Sequence, residues 1–266
     1  MILKAVKFYP PKTNAVLRDF HNAICASSAP DHHKLSILFY ILIDIDSTTG
    51  RREFSNSFEE MSFLPKKYSI YMKGLWHLDH QDYENAIEYL TYPTILPTFA
   101  DEVIEVLSRK ARNPALALAY YYTTSPSLTD SKSIECVFTA IAKTNVSEAF
   151  FFAREQSAYA HKHMLQMLIS SVLHNSTSDQ IADRATELIG LPFDAEEEQW
   201  FEDYLLCGDG TNLKKAKDTV LMRRIATGKF QEATTIKGLH SKSIGGVEWN
   251  SLVGGIENGM KTRLDI

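Results

Sequence analysis

Apolar residues recur at three- and four-residue spacings along most of the chain, broken at short intervals by Gly, Pro, Asn, Asp and Ser. That period is the mark of amphipathic helices with one buried stripe each. It predicts helices over residues 13–26, 31–46, 65–80, 83–91, 99–111, 114–124, 130–144, 147–174 with a break near Ser157, 178–189, 194–207, 212–227 and 230–239. Asp31, Asp130 and Asp194 stand where N-caps are wanted, and Pro65 stands in a first helical turn. Gly190, Gly208 and Gly228 fall just past helix ends, where a left-handed residue is expected. No convincing strand emerges. After Leu239 the chain turns Gly-rich, which predicts a loop, a short terminal helix or a frayed tail.

The most informative stretch is 74–90, GLWHLDHQDYENAIEYL, which reads as the end of one helix, a turn around His80–Asp82 and a second helix opening at Tyr83. Gly74 and Ala86 are small enough to let two antiparallel helices approach closely, and Trp76, Leu78, Tyr83, Ile87 and Leu90 fall on facing stripes. The indole of Trp76 is expected to be largely buried in the space beside them. A hairpin of this kind cannot bury both faces alone, so it needs neighbours. Its turn-and-helix head, DYENAI, is echoed by NVSEAF at 145–150 and GKFQEA at 228–233. The alanines Ala86, Ala149 and Ala233 lie at unequal separations, and the tetratricopeptide register of about 34 residues breaks at Ser108 and Tyr120. The expected fold is all-α: an irregular, α-solenoid-like stack of helix hairpins with twelve helices, the body over 1–240 and the Gly-rich tail over 241–266. The aromatic triplets 120–122 and 150–152 each sweep over more than half a helix circumference, so both helices are expected to lie sandwiched between others.

Composition narrows the function classes. With 266 residues and 44% hydrophobic side chains the chain is long enough for a substantial core. Net charge is −5 and no Lys/Arg run exceeds a pair, which disfavours direct binding to nucleic acid. Cys25, Cys136 and Cys207 lie far apart and outside any C-x-x-C, so neither disulfides nor a zinc module are expected. The longest apolar run, 37–43, is far short of the roughly 20 residues of a membrane span.

Catalytic patterns are scarce. The segment 254–262, GGIENGMKT, falls short of a phosphate-binding loop because Met260 separates Gly259 from Lys261 and no apolar strand precedes it. His77 and His80 could share a helix face as metal ligands, but they lack a third; as residues near a helix end they are better read as bonding the last carbonyls. His161 and His163 fall on different faces, one half-buried and one solvated. Glu196–Glu198 read as first-turn acids favoured by the helix dipole behind the Asp194 cap. The expectation is no enzyme, no cofactor and no metal.

Taken in order, a Gly-x-Trp-x-Leu-Asp helix (Gly74, Trp76, Leu78, Asp79), a Tyr-led second helix (Tyr83, Ala86) ending before Pro93-x-Ile95-x-Pro97, an Ala-rich helix ending near Ser125–Pro126, and Glu148–Ala149–Phe150 followed by Arg154 resemble the ELYS family of nuclear pore assembly proteins over residues 63–206. The resemblance implies a non-enzymatic nucleoporin at the nuclear envelope, whose helical domain docks on the short-arm end of the Y-shaped scaffold subcomplex. Long members of the family add an N-terminal β-propeller and a C-terminal AT-hook tail that binds chromatin. This sequence starts at the helical region and carries no Arg-Gly-Arg-Pro hook, so it resembles the short, helical-domain-only members, and scaffold attachment rather than chromatin seeding is the implied role. A helical adaptor of a vesicle coat or of a proteasome-lid-like assembly would share the composition and the hairpins, and only the ordered motifs distinguish the two.

Overall fold

Short amphipathic helices follow one another from Asn14 to Thr234 in the computed structural model, which describes residues 9–11, 13–50, 53–113, 115–174 and 178–236, with 243–244, 247–248, 250–251, 253–255 and 258 of the tail. The fold is all-α. Fourteen helices are described over that span: α1 Asn14–Cys25, α2 Asp31–Thr49, α3 Glu53–Met61, α4 Lys66–Asp79, α5 Tyr83–Leu90, α6 Ala100–Lys110, α7 Ala115–Thr124, α8 Ser131–Thr144, α9 Val146–Arg154, α10 Ala158–His174, α11 Ser178–Gly190, α12 Ala195–Leu206, α13 Ala216–Ala226 and α14 Phe230–Thr234. A 3-10 turn at Asp209–Asn212 precedes α13. The strand content of the described residues is one antiparallel pair, β1 Ser243–Ile244 against β2 Val247–Glu248. Pro114, residues 237–239 of the last expected helix and most of 254–262 lie outside the described residues.

The chain divides into two compact units, Met1–Val137 and Phe138–Ile266. In the first unit α1 packs on α2, α2 on α3 and α4, α4 on α5, α5 on α7, and α7 on α6. The stripe Ala100, Val103, Ile104 and Leu107 shows why α6 forms and which way it faces: all four are buried at i, i+3, i+4 and i+7. Asp101 and Glu102 in its first turn, and Arg109 and Lys110 in its last, complement the helix dipole. In the second unit α10 is the axle, with Met164, Leu165, Leu168, Ile169, Val172 and Leu173 buried. It packs on α9, α11 and α12, while α13 packs on α11, α12 and α14.

The α4–α5 hairpin closes on Gly74. A Cβ there would sit 2.8 Å from Leu90 Cδ2 and 3.2 Å from Tyr89 Cβ, so the space beside Gly74 is filled by the facing helix. Trp76 does not fill it. The indole is half-buried on another side of α4, where its Nε1 donates to Asp44 Oδ1 at 3.3 Å and its ring stacks on His80. The aromatic triplets also differ from expectation. Tyr120 and Phe150 are buried, whereas Tyr122 and Phe151 are about half exposed: α7 packs on α5 and α6, and α9 on α10 and α11, yet each keeps a face in solvent.

Helix α3 carried no local start signal, and its cause is a side chain from α2. Gly50, in the left-handed region at φ 70°, ends α2, and Asp46 then accepts from the amides of Phe54 at 3.2 Å and Ser55 at 2.8 Å. Those amides are among the orphan donors of a helix start. Asp101 of α6 does the same for the entry to α8, accepting from the amides of Thr129 and Asp130 and from the hydroxyls of Thr129 and Ser133. Glu187 of α11 accepts from the amide and hydroxyl of Ser147 at the start of α9, while Asn145 takes the Glu148 amide. Asp31 is not a cap, since Pro30 occupies that position and Asp31 is the first helical residue. Asp194 is one, in a reciprocal box with Glu197. Of the three glycines expected to be left-handed at helix ends, Gly228 is; Gly190 closes α11, and Gly208 has φ −96°. Gly208 is needed for closeness, because a Cβ there would meet the Tyr204 backbone at 3.2 Å.

Arginines close the carbonyl ends. Arg223 is buried, donates to the carbonyls of Ile189 in the last turn of α11 and of Leu191 just past it, and pairs with Glu198 at 2.7 Å. Arg224 pairs with Glu202 at 2.6 Å and donates to the Glu232 carbonyl. Arg154 pairs with Glu197, donates to the Pro192 carbonyl and lies over the Phe150 ring. Arg184 donates to the Ala142 carbonyl of α8. Two of the three glutamates read as dipole acids are therefore also buried ion-pair partners, and only Glu196 is exposed.

Four of the carboxylates in these contacts, Asp46, Asp101, Glu197 and Glu202, are held below their ordinary range. For Asp46, Asp101 and Glu197 burial pushes the pKa up, and hydrogen bonds from Ser55, from Ser133 and from Arg154 respectively outweigh it. For Glu202 the hydrogen bond from Arg224 is the main cause.

Three outcomes are expected. Gly74→Val should cost about 1–3 kcal/mol in denaturant unfolding, because Leu90 and Tyr89 must move. Arg223→Met, which removes the close partner of buried Glu198 and a donor to two carbonyls, should cost about 3–5 kcal/mol, while Glu196→Ala should stay within about 0.5 kcal/mol. Because the folded carboxylate values are lowered, their contribution is complete above the ordinary carboxylate range and is lost as pH falls through the folded values. Thermal unfolding should therefore be nearly flat from about pH 7 to about pH 5 and move to lower temperature below about pH 4.

Candidate protein-binding surface

The fold places the residues that carry the sequence motif in different surroundings. Gly74, Leu78 and Ala86 are buried in the α4–α5 hairpin, and Ala149 and Phe150 in the second unit. Arg154 is half-buried in its Glu197 pair. Glu148 is exposed in the first turn of α9, and Tyr83 is half-buried at the start of α5. Trp76 and Asp79 belong to a polar cluster on the α2–α4 side of the first unit. There Asp44 accepts from the Tyr9 hydroxyl and from Trp76, with His80 Nε2 3.4 Å away, and Asp79 accepts from the Tyr40 hydroxyl at 2.7 Å. Burial and then these carboxylates push both phenols well above their ordinary range, so Tyr9 and Tyr40 stay protonated donors. Tyr9, Tyr40 and Asp44 gave no sequence signal, since only the fold brings 9, 40–44 and 76–80 together.

His77, His80 and His161 make contacts within the fold. His80 Nδ1 bonds the Trp76 carbonyl at 2.8 Å, as a residue at a helix end does, and His77 Nδ1 instead bonds Asp82 Oδ2 at 2.9 Å and stacks on Tyr89. His161 is half-buried against Trp200, with Nε2 3.0 Å from Glu197 Oε1, and His163 is exposed. Among the described residues no group of three His, Cys, Asp or Glu side chains could hold a metal ion, and the three cysteines are unpaired.

Pro93, Ile95 and Pro97 lie in the connection from α5 to α6. Ile95 and Pro97 are half-buried and Pro93 is exposed, and between them Leu96 is 81% exposed. The Tyr71 hydroxyl donates to the Thr98 carbonyl and so ties this connection to α4. A pocket of about 220 Å³ lies between the connection and the start of α4. Two further concavities are described. One, of about 500 Å³, is an apolar groove among α1, α2 and α3, lined by Leu17, Leu38, Leu42, Ile45 and Phe58. The other, of about 590 Å³ in the second unit, has Lys143, His163, His174 and Asp209 among its lining residues, together with the hydrogen-bonded Ser170 and Tyr204. None assembles a nucleophile, a base that activates it and a group that orients the base.

Comparison with known proteins agrees with the motif order. A family model described as "ELYS: Nuclear pore complex assembly" matches residues 2–208. The "Uncharacterized protein ely5" of Schizosaccharomyces pombe is 24% identical over 165 residues, 61% of this chain and 53% of that protein. "Protein ELYS" of Xenopus laevis is 27% identical over 170 residues, 60% of this chain but 7% of the frog protein. The chain thus matches about half the length of the yeast relative and a small part of the frog one. With the family model covering most of its length, the chain belongs to the ELYS family of nuclear pore complex assembly proteins.

Proposed function

We propose that this protein is a non-enzymatic scaffold nucleoporin, resident at the nuclear pore, that docks on the short-arm end of the Y-shaped scaffold subcomplex. The observation that carries the reading is the family match over residues 2–208, which includes both helical units up to Cys207 and Gly208. The geometry supports it, because the described residues form helical units whose concavities lack a catalytic constellation. Net charge of −5 argues against nucleic acid as a direct partner. No described helix is long and apolar enough to cross a membrane. Attachment through exposed side chains near helix ends fits a body over 1–240 whose interior is occupied by packing, and the Gly-rich tail over 241–266 is a second place from which contacts could be made.

A tagged chain should give a rim signal at the nuclear envelope and recover scaffold nucleoporins from extract. Diffuse cytosolic signal with coat or proteasome subunits as partners would replace this reading by that of a general helical adaptor. The non-enzymatic half is checked separately. Unfolding temperature should be the same with chelator, zinc or ATP, because a native-state ligand at about 100 times its dissociation constant would stabilise by about 2.7 kcal/mol.

A further inference from the structure

Two phenylalanines of the first unit combine features that a stable fold avoids. Phe63 is 89% exposed and Phe99 55% exposed, and both have left-handed backbones, at φ 52° and 57°. For a bulky L-residue that conformation is strained, and at the end of α3 Phe63 takes a place where glycine is usual. Neither ring recovers the cost by burial. Residues kept in such a conformation at a solvent-facing position point to a contact made with something else.

Lys67 and Thr98 line one pocket; in the chain Phe63 lies four residues before Lys67, and Phe99 directly follows Thr98. Leu96, at 81% exposure, forms part of its wall, and Tyr92 beside it is 47% exposed. The surface is pre-shaped, because Tyr71 is buried and bonded to the Thr98 carbonyl, and Pro93 and Pro97 stiffen the connection. Lys67 lines the pocket and no carboxylate does. The Lys67 ammonium lies 5.0 Å from the Tyr68 ring centroid and has no carboxylate partner among the described residues.

We infer that this face, Phe63, Leu96 and Phe99 around the Lys67 pocket, is where the chain docks on the scaffold. The occupant is a protein segment that sets a large apolar side chain in the pocket and a carboxylate against Lys67. The inference rests on the scaffold-docking reading above and adds the surface and the chemistry of the partner. An apolar anchor in a small pocket with a charge at its edge is the arrangement that concentrates binding energy in few residues.

The test uses the full chain and purified Y-shaped scaffold subcomplex immobilised for binding measurements, with thermal unfolding read on every variant. Leu96→Asp should weaken binding at least about tenfold, and Lys67→Glu should weaken it about tenfold and reduce its salt dependence. Phe63→Asn and Phe99→Asn replace phenylalanine by a residue that tolerates the left-handed region. They should weaken binding while leaving the unfolding temperature unchanged or higher, the opposite of what a packing residue would do. Tyr159→Asn, at an 88% exposed position in the second unit, should bind as the unsubstituted chain does. If the unsubstituted chain binds and the Leu96, Lys67 and Phe variants bind equally well, this surface is wrong and the scaffold reading stands. Loss of binding only in variants that also melt lower overturns the surface too. If the unsubstituted chain does not bind the subcomplex, both readings fall.

Discussion

The constraint on which this fold depends is that a short helix is mostly ends. Each α-helix leaves four amides and four carbonyls without partners, and in helices as short as α5, with eight residues, or α3, with nine, little of the backbone is satisfied internally. Side chains from other helices close those ends. Asp46, Asp101 and Glu187 receive amides at the starts of α3, α8 and α9, while Arg184, Arg223 and Arg224 donate to carbonyls at or beyond helix ends. Such a contact satisfies a buried polar group and also fixes the position of one helix against another.

Apolar packing supplies the bulk of the stability, and these polar contacts select the register. A stripe such as that of α6 or α10 gains by burial against any apolar neighbour, since the hydrophobic effect has no direction. A carboxylate that must meet two particular amides has one solution. The buried pairs Arg223–Glu198 and Arg154–Glu197 act in the same way, because charges taken out of water are tolerable only in good geometry with their remaining hydrogen bonds made. Leu90 against Gly74 is the apolar counterpart, a closeness that one added carbon would prevent.

The connection to function follows from what is left over. Many of the residues through which the chain resembles its family are consumed by the fold: Gly74, Leu78 and Ala86 in the hairpin, Ala149 and Phe150 in the second core, Arg154 in a salt bridge. Leu96 and Phe63 lie mostly in solvent and Phe99 about half so, and they occur at helix junctions, where the backbone is free to present side chains outward.

The sequence by itself determined the helical class and most helix positions, the α4–α5 hairpin, the break at Ser157 between α9 and α10, the Asp194 cap and the family, because these follow from local periodicity, capping chemistry and motif order. Tertiary structure decided what depends on residues distant in sequence. Helix α3 was not legible because its N-terminal amides are met by Asp46 of α2 rather than by a neighbouring cap. The burial of Glu197 and Glu198 was hidden because an acidic first turn looks the same whether water or arginine faces it. Trp76 was placed against Gly74 by spacing alone, yet spacing gives the face and not the neighbour, and the fold offered the indole Asp44 and His80 while Leu90 took the cleft. Exposure of Leu96 and Phe99 was equally out of reach, since hydrophobicity predicts that a side chain prefers burial and only the finished packing shows which ones were left outside.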